Sequence, residues 1–455
     1  MLRVILTALT VTRAGDGLPV KPALDVGMSS VRLEAIERVV ARGIKAGGYP
    51  GAAVVVGRNG AAVMTKGFGK LSWLPTSAAV DAHETIYDVA SLTKVVGTTA
   101  AIMILFDEKK IDLDERIVTY IPTFSGGEKE RVTVRQLLTH TSGLPAGRDL
   151  WRITQSPLEA RAAVVGSSLE ARPGSRYIYS DLGADLLGLL IEVVSGEPLD
   201  KFLERRVFAP LGMNNTFYRP ADSLRYRIAP TEVTPPRGYP LRGEVHDENA
   251  YALGGVAGHA GLFSTAADLS VFAQMMLNGG EYNGVQIISR PTVELFTSRS
   301  VGHRALGWDT AEGDYGSGRY LGPTAYGHTG FTGTSMWIDP ERQMFVILLT
   351  NRVHAARALR PAKVISDVRA DLSDAAVLAV LDGPQIAGGK RVFRADREVG
   401  WNPAPRRVTR RRHASSRRQS IARASRSRVS SAKKKKATSS KTIRAKKPVK
   451  KTTKS

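Results

Sequence analysis

Apolar side chains recur at helical spacing at Val31, Leu33, Ile36, Val39, Val40 and Ile44, which predicts an amphipathic surface helix over 29–46, stopped by Gly47-Gly48 and Pro50. The pattern then becomes β-like. Runs at 51–56 and 61–66 flank Gly57-Arg58-Asn59-Gly60 and read as a hairpin. From about Ser91 the chain is apolar on most sides of a helix (Val95, Ala100, Ile102, Met103, Ile104, Leu105, Phe106), which predicts a buried helix. Irregular chain is expected over 111–121, a helical turn at 134–138 and a short helix over 157–165. At 177–180 the chain reads as extended. Asp181 then begins a helix, as its N-cap or in its first turn, that carries Leu186, Leu187, Leu190 and Ile191 and ends at Gly196.

Further on, 208–243 is rich in Pro and Arg and reads as loop, and 246–265 as a glycine-rich loop. Thr265-Ala266-Ala267-Asp268 caps a helix to about Leu277, and 291–296 makes another short helix. Two strands, 334–338 and 345–349, are joined by a turn over 339–343, with His328-Thr329-Gly330 opening the first of them. One or two amphipathic helices fill 356–381. The predicted fold is α/β in the α+β sense, an antiparallel sheet covered by helices with a large, mainly helical inserted subdomain. Residues 29–385 form this domain, with the sheet from 29–86 and 300–385 and the helical part from 87–299. No glycine-rich strand-to-helix loop precedes the first helices, so a doubly wound nucleotide-binding fold is disfavoured.

Charge divides the chain differently. Of 65 Lys and Arg, 21 lie beyond residue 405, where no Asp or Glu occurs; the other 44 nearly balance the 42 acids. Residues 386–401 are read as a linker and 402–455 as a disordered basic tail, expected to bind polyanions, either anionic envelope polymers or nucleic acid. The chain has no Cys, which removes disulfides and thiol chemistry. Residues 1–28 read as a leader or flexible N-terminus with a weak signal-peptide pattern, and no run has the length and apolarity of a transmembrane span.

Three stretches could carry chemistry. Ser91 and Lys94 share a helix face; burial would lower the lysine pKa and let it take a proton from the hydroxyl. Tyr179 stands just before a packed helix. His246, Asp247, Glu248 and His259 have metal-ligand side chains, but their spacing matches no metal pattern, and a glycine-rich loop that approaches a cleft closely is the favoured reading, with no metal expected.

Tyr87-Asp88-Val89-Ala90-Ser91-Leu92-Thr93-Lys94, Tyr179-Ser180-Asp181 and His328-Thr329-Gly330 resemble, in order and spacing, the three motifs of the serine beta-lactamase and penicillin-binding protein superfamily. The resemblance is to its class C-type branch, which includes D-aminopeptidases, D-alanyl-D-alanine carboxypeptidases and esterases; Leu137–Leu144, with His140-Thr141-Ser142-Gly143, is a further segment of that branch. It implies a beta-lactamase/transpeptidase-like fold and a serine hydrolase that works through an acyl-enzyme on an ester, amide or beta-lactam carbonyl, without a cofactor or metal. It implies that Ser91 is the nucleophile, Lys94 its proton-transfer partner and Tyr179 the second acid or base. Asp181, His328, Thr329, Gly330 and Thr332 would bind substrate, with an oxyanion hole from the Ser91 N–H and one near Thr332. Asp181 replaces the usual Asn and can hold Lys94 charged, while His328 replaces the usual Lys and is a weaker cation. Both changes weaken the case for efficient beta-lactam hydrolysis and fit esterase or peptidase members at least as well. The expected substrate is a small-molecule or peptide-like acyl donor, with a cell-wall origin among the options, and the implied location is the cell envelope or outside the cell, with a cytoplasmic one left open by the weak leader. The competing reading is a catalytically weak binding or scaffold protein with a basic tail; the oligomeric state is left open.

Overall fold

The computed structural model describes residues 17–311, 316–383 and 392–402. Six strands make the main sheet: β1 (Gly51–Arg58), β2 (Ala61–Gly69), β3 (Asp309–Thr310), β4 (Tyr326–Thr329), β5 (Ser335–Asp339) and β6 (Met344–Thr350). Their spatial order is β2-β1-β6-β5-β4-β3, and every neighbouring pair is antiparallel. The strands nearest the two chain ends therefore sit side by side, with Val54 opposite Leu348.

Alternation along the strands separates two cores. Ala52, Val54, Val56, Val346 and Leu348 face α1 (Ser30–Lys45) and the C-terminal helix Pro361–Leu378. Ala53, Val55, Met336, Ile347 and Leu349 face the helical subdomain. Because both faces are covered, all seven residues of β6 are buried, which is why its sequence is an unbroken apolar run. The helical subdomain is built on α2 (Ala100–Asp107), α3 (Asp181–Ser195) and α4 (Ala266–Leu277). The C-terminal helix, the single helix that fills the expected 356–381 region, is α5 (Pro361–Leu378). By length and composition 90–107 is apolar enough to cross a membrane, yet it lies inside the fold.

Several expectations change. The run from Ser91 is not uniformly α-helical: a 3-10 turn at Ala90–Leu92 leads to a π-helical stretch, Lys94–Thr99, before α2. His328 does not open the strand of 334–338; it lies on a strand of its own, β4, opposite Met336, because the chain turns back after Gly330. Thr265 caps α4 as expected, accepting from Asp268 N, and of the two places expected for Asp181 it takes the first turn of α3, with Ser180 as the cap. The described part of the N-terminal segment is packed, with Leu18, Val26 and Met28 buried. Nor is 392–401 a linker. Arg394–Arg397 forms a helical turn, and Trp401 is fully buried on α5, its Nε1 donating to Asp367 Oδ2 at 2.8 Å. An indole donor brought into an apolar site needs such an acceptor, and a carboxylate on α5 provides it. The signal-like residues 1–16 and the basic tail beyond residue 402 lie outside the described residues.

The docked Trp401 sets a test of where the folded unit ends. Trp401→Ala should lower the unfolding free energy by about 3–5 kcal/mol in urea titration, whereas a stop codon after Asn402 should leave the midpoint unchanged; equal midpoints for Trp401→Ala and wild type would remove this segment from the core.

Candidate active site

The turn that carries Ser91 is held in an unusual backbone conformation. Ala90 has φ +48°, a left-handed value that costs a β-carbon residue about 1 kcal/mol or more. Asp88 opposes that strain: Oδ1 accepts from Ala90 N at 2.8 Å and Oδ2 from His246 N at 2.7 Å. Burial pushes the Asp88 carboxyl up, against these donors. Leu92 N then closes a turn on Val89 O at 3.2 Å, and Ser91 is left half-buried.

Lys94 lies one turn on and is almost fully buried. Its Nζ is 3.1 Å from Ser91 Oγ, 3.2 Å from His259 O and 2.7 Å from Asp181 Oδ1. The last is an ion pair by distance, made off the hydrogen-bond direction. Burial pulls the Lys94 pKa down, but Asp181 and Tyr179 outweigh burial and hold it above the ordinary lysine value. The expected lowering is thus reversed, and Lys94 is an ammonium at rest. Burial likewise tends to raise Asp181, and Lys94 and His259 bring it below the usual carboxylate value.

Tyr179 stands beside this pair, its ring centre 4.9 Å from Lys94 Nζ. His140 holds the chain on both sides of it: His140 O accepts from Ile178 N at 2.8 Å, and His140 Nδ1 accepts from Ser180 N at 3.0 Å. Its ring packs on the Tyr179 ring with centroids 4.6 Å apart. Because Nδ1 accepts, the proton of neutral His140 is on Nε2. Burial first, then Arg304 and Lys94, keeps this imidazole well below its usual pKa. Sequence reasoning left His140 inside a family segment without a role, since only the fold places its ring against Tyr179.

The opposite wall is β4 and the turn after it. Gly330 packs on the backbone just before Ser91; a Cβ there would lie 2.5 Å from Val89 O. Thr332 Oγ1 donates to Asp88 O at 2.8 Å and Thr334 Oγ1 to Val89 O at 2.9 Å, so two hydroxyls fasten this turn to the Ser91 turn. Thr332 is consequently fully buried and does not reach the cavity; Phe331, 60% exposed, lines it instead. From α5, Arg369 Nη2 donates to Gly330 O at 2.6 Å and Thr334 O at 2.8 Å.

His328 is buried and donates Nδ1–H to Thr329 O at 2.8 Å, which leaves Nε2 as an acceptor, 3.9 Å from Asp309 Oδ2 and without a hydrogen-bond partner among the described residues. Burial pushes its pKa down to about 4, with Asp309 acting against that shift. At neutral pH His328 is therefore uncharged. The cations on this side are Arg352 and Arg369, both lining the cavity, and Arg304, ion-paired to Asp309 and 6.0 Å from the Tyr179 ring centre.

These groups surround a cavity of about 660 Å³ whose lining includes Ser91, Tyr179, His328, Thr329, Gly330 and Phe331. Of the expected site residues the fold brings Ser91, Lys94, Tyr179 and Asp181 into one cluster and faces it with His328, Thr329 and Gly330. The histidines considered as metal ligands are otherwise engaged. His259 sits between Asp185 (Nδ1 to Oδ1, 2.7 Å) and Asp247 (Nε2 to Oδ1, 2.9 Å), and His246 Nε2 is 2.8 Å from Glu232 Oε1. Burial opposes a charge on His259, but the two carboxylates outweigh it and raise its pKa well above the ordinary value. This ion-paired core fixes the loop whose carbonyl, His259 O, faces Lys94.

The Beta-lactamase family matches residues 36–369. A relative from Escherichia coli strain K12, named "Putative D-alanyl-D-alanine carboxypeptidase", is 34% identical over 374 residues, which is 72% of this chain and 84% of its own. The N-acetylmuramyl-L-alanine amidase of Bacillus subtilis strain 168 is 33% identical over 366 residues, 72% of this chain and 82% of its own. A solved class C beta-lactamase superposes with a TM-score of 0.61 at 16% identity over 78% of this chain and 98% of that one, a likeness of fold.

The Lys94–Asp181 pair makes a sign-specific prediction. With its pKa raised by folding, Lys94 contributes stability that is fully present below its unfolded value, about 10.4, and is lost only as pH rises through its higher folded value. In Asp181→Asn, burial is left less opposed and the folded pKa falls below the unfolded one. The variant should then gain stability as pH is raised from 7 toward 10, while the wild type stays flat over that range; urea midpoints across the range would show it, and a flat variant would refute the pairing.

Proposed function

This chain belongs to the Beta-lactamase family and is a hydrolase of the beta-lactamase and penicillin-binding protein superfamily, and on that premise we propose that it works as a serine hydrolase through an acyl-enzyme on Ser91. The observation that carries the reading is the Ser91 Oγ at 3.1 Å from the buried Lys94 Nζ, at the wall of a cavity that Tyr179 also lines. In the first step Oγ bonds to the substrate carbonyl carbon. Its proton leaves through the polar cluster: Lys94, already an ammonium, can take it only by passing one of its own on to the Asp181 carboxylate at 2.7 Å. Collapse of the tetrahedral intermediate breaks the bond to the leaving group, which takes the Tyr179 hydroxyl proton while Lys94 reprotonates the phenol oxygen and recovers its own proton from Asp181. Water then attacks the ester, returning Ser91 and releasing the acid.

For the oxyanion we assign the backbone N–H of Ser91 and that of Phe331, the cavity-lining residue after Gly330, in place of the donor expected near Thr332. Gly330 supports this by letting the turn approach Val89 without a side chain between them. Since His328 is neutral, Arg352 and Arg369 are the groups that would hold an anionic substrate end, with Thr329 beside them. The names of the carboxypeptidase and amidase relatives, together with a cavity large enough for a short peptide, favour a cell-wall-derived acyl donor such as a D-alanyl peptide. The tail beyond residue 402 adds, in this reading, a salt-dependent affinity for polyanions, tested by loss of that affinity with unchanged turnover when the tail is deleted.

Ser91→Ala should abolish covalent labelling by a fluorophosphonate probe in the folded protein, and Lys94→Ala should lower kcat/KM by about 10²-fold or more. Labelling that persists at another residue would remove Ser91 from its role. A panel of chromogenic cephalosporin, short p-nitrophenyl esters and D-alanyl-D-alanine peptides would identify the acyl donor, with peptide turnover expected to exceed cephalosporin turnover.

A further inference from the structure

A second cavity, of about 770 Å³, lies in the helical subdomain and shares no lining residue with the first. Four aromatic rings line it, the buried Phe263 and the more accessible Trp151, Tyr239 and Tyr251, with Arg225 and Arg242 among the polar groups. One face of Trp151 is covered by Arg152 at 4.5 Å and one face of Tyr251 by Arg237 at 4.4 Å, so each ring is held from one side. Tyr251 and Tyr239 nevertheless remain 40% and 49% exposed.

The charges in this cavity are mixed. Arg225 has Asp222 at 3.8 Å, and Glu244 accepts from Tyr239 Oη at 3.1 Å. Arg242 is different: its Nε and Nη2 donate to the carbonyls of Ile228 and Tyr226, both at 2.8 Å, and no carboxylate pairs with it among the described residues. Two carboxylates beside the arginines would repel a highly charged anion such as a phosphate. Ring faces combined with forked donors and acceptors suit a ligand that is apolar on its C–H faces and rich in hydroxyl and amide groups at its edge.

The position of this cavity relates it to the first. Val245 lines the second cavity; its neighbour His246 stacks on Phe331, with centroids 5.6 Å apart, and Phe331 lines the first. The two linings are therefore linked through Val245-His246 and the His246–Phe331 stack. We propose that the Trp151–Tyr239–Tyr251 cavity is a carbohydrate subsite that takes one or two amino-sugar rings of a glycan while the attached peptide reaches Ser91. The identity of the glycan as part of the substrate rests on the hydrolase reading above; the sugar affinity itself does not.

The test uses the full chain carrying Ser91→Ala, titrated calorimetrically with three probes: an N-acetylglucosamine tetramer, a peptidoglycan disaccharide-tetrapeptide and the free tetrapeptide. Saturable binding of the tetramer is expected, and the disaccharide-tetrapeptide should bind about tenfold or more tighter than the free peptide. Trp151→Ala or Tyr251→Ala should each cost sugar affinity by about tenfold, the loss of one stacked ring. The milder Arg242→Gln should weaken it severalfold and guards against misfolding of the aromatic variants. In the Ser91 background these three substitutions should leave p-nitrophenyl ester hydrolysis unchanged. Absence of saturable tetramer binding, or binding insensitive to all three substitutions, would overturn the subsite. Failure of ester and peptide turnover with sugar binding intact would overturn the hydrolase reading alone.

Discussion

The buried ammonium of Lys94 imposes the strictest demand in this structure. An ammonium removed from water costs several kcal/mol unless its three protons find oxygen partners and its charge finds an opposite one. Here the partners come from three separate parts of the chain: Ser91 Oγ from its own turn, His259 O from the glycine-rich loop and Asp181 from the start of α3. The loop is itself held by the Asp185–His259–Asp247 pairing, so a second buried charge supports the environment of the first. Each buried charge of this kind is compensated only when its partners are present, which makes the geometry around Ser91 a property of the assembled subdomain.

Beside the apolar core that joins sheet and subdomain, two hydroxyl bonds fasten the sheet to the turn that carries Ser91. Thr332 and Thr334 reach the carbonyls of Asp88 and Val89, and Arg369 secures the same turn from behind. The strained Ala90 thus lies between a carboxylate on one side and the β4–β5 turn on the other. Strain of about 1 kcal/mol is small beside these contacts, and it keeps Ser91 turned toward the cavity. His140 does the equivalent for Tyr179, bonding both flanking residues and packing on its ring. The proposed proton path therefore runs between groups whose backbones are fixed independently.

Charge is distributed unevenly across the cavity. The Ser91 side holds a permanent cation in Lys94, while the β4 wall offers a neutral imidazole at His328. Arg352 and Arg369 also line the cavity, so in the proposed reading the positive charge available to an anionic substrate end is theirs rather than that of His328. Asp309 balances Arg304 near Tyr179; burial alone would raise the Asp309 pKa, and the arginine together with His328 brings it below the usual carboxylate value.

Local pattern carried much of the architecture. The period of 3.6 in α1, the apolar run of β6 and the hairpin of β1 and β2 each follow from spacing that a chain must bury on one or both faces. The proximity of Ser91 and Lys94 was legible for the same reason, because three residues along a helical turn bring two side chains together. What lay beyond local reading were contacts between distant segments. Whether Lys94 is charged depended on Asp181, 87 residues away, outweighing desolvation, and that balance is set by a 2.7 Å approach no spacing reveals. Thr332 was expected at the cavity and lies behind it, because the chain reverses after Gly330 and directs Phe331 outward. The docking of Trp401 likewise depended on an acceptor, Asp367, whose position only the packed α5 supplies. By itself the sequence determined the elements and the chemistry available to them; tertiary structure decided protonation, burial and which groups face the cavity, since these depend on through-space distance and desolvation.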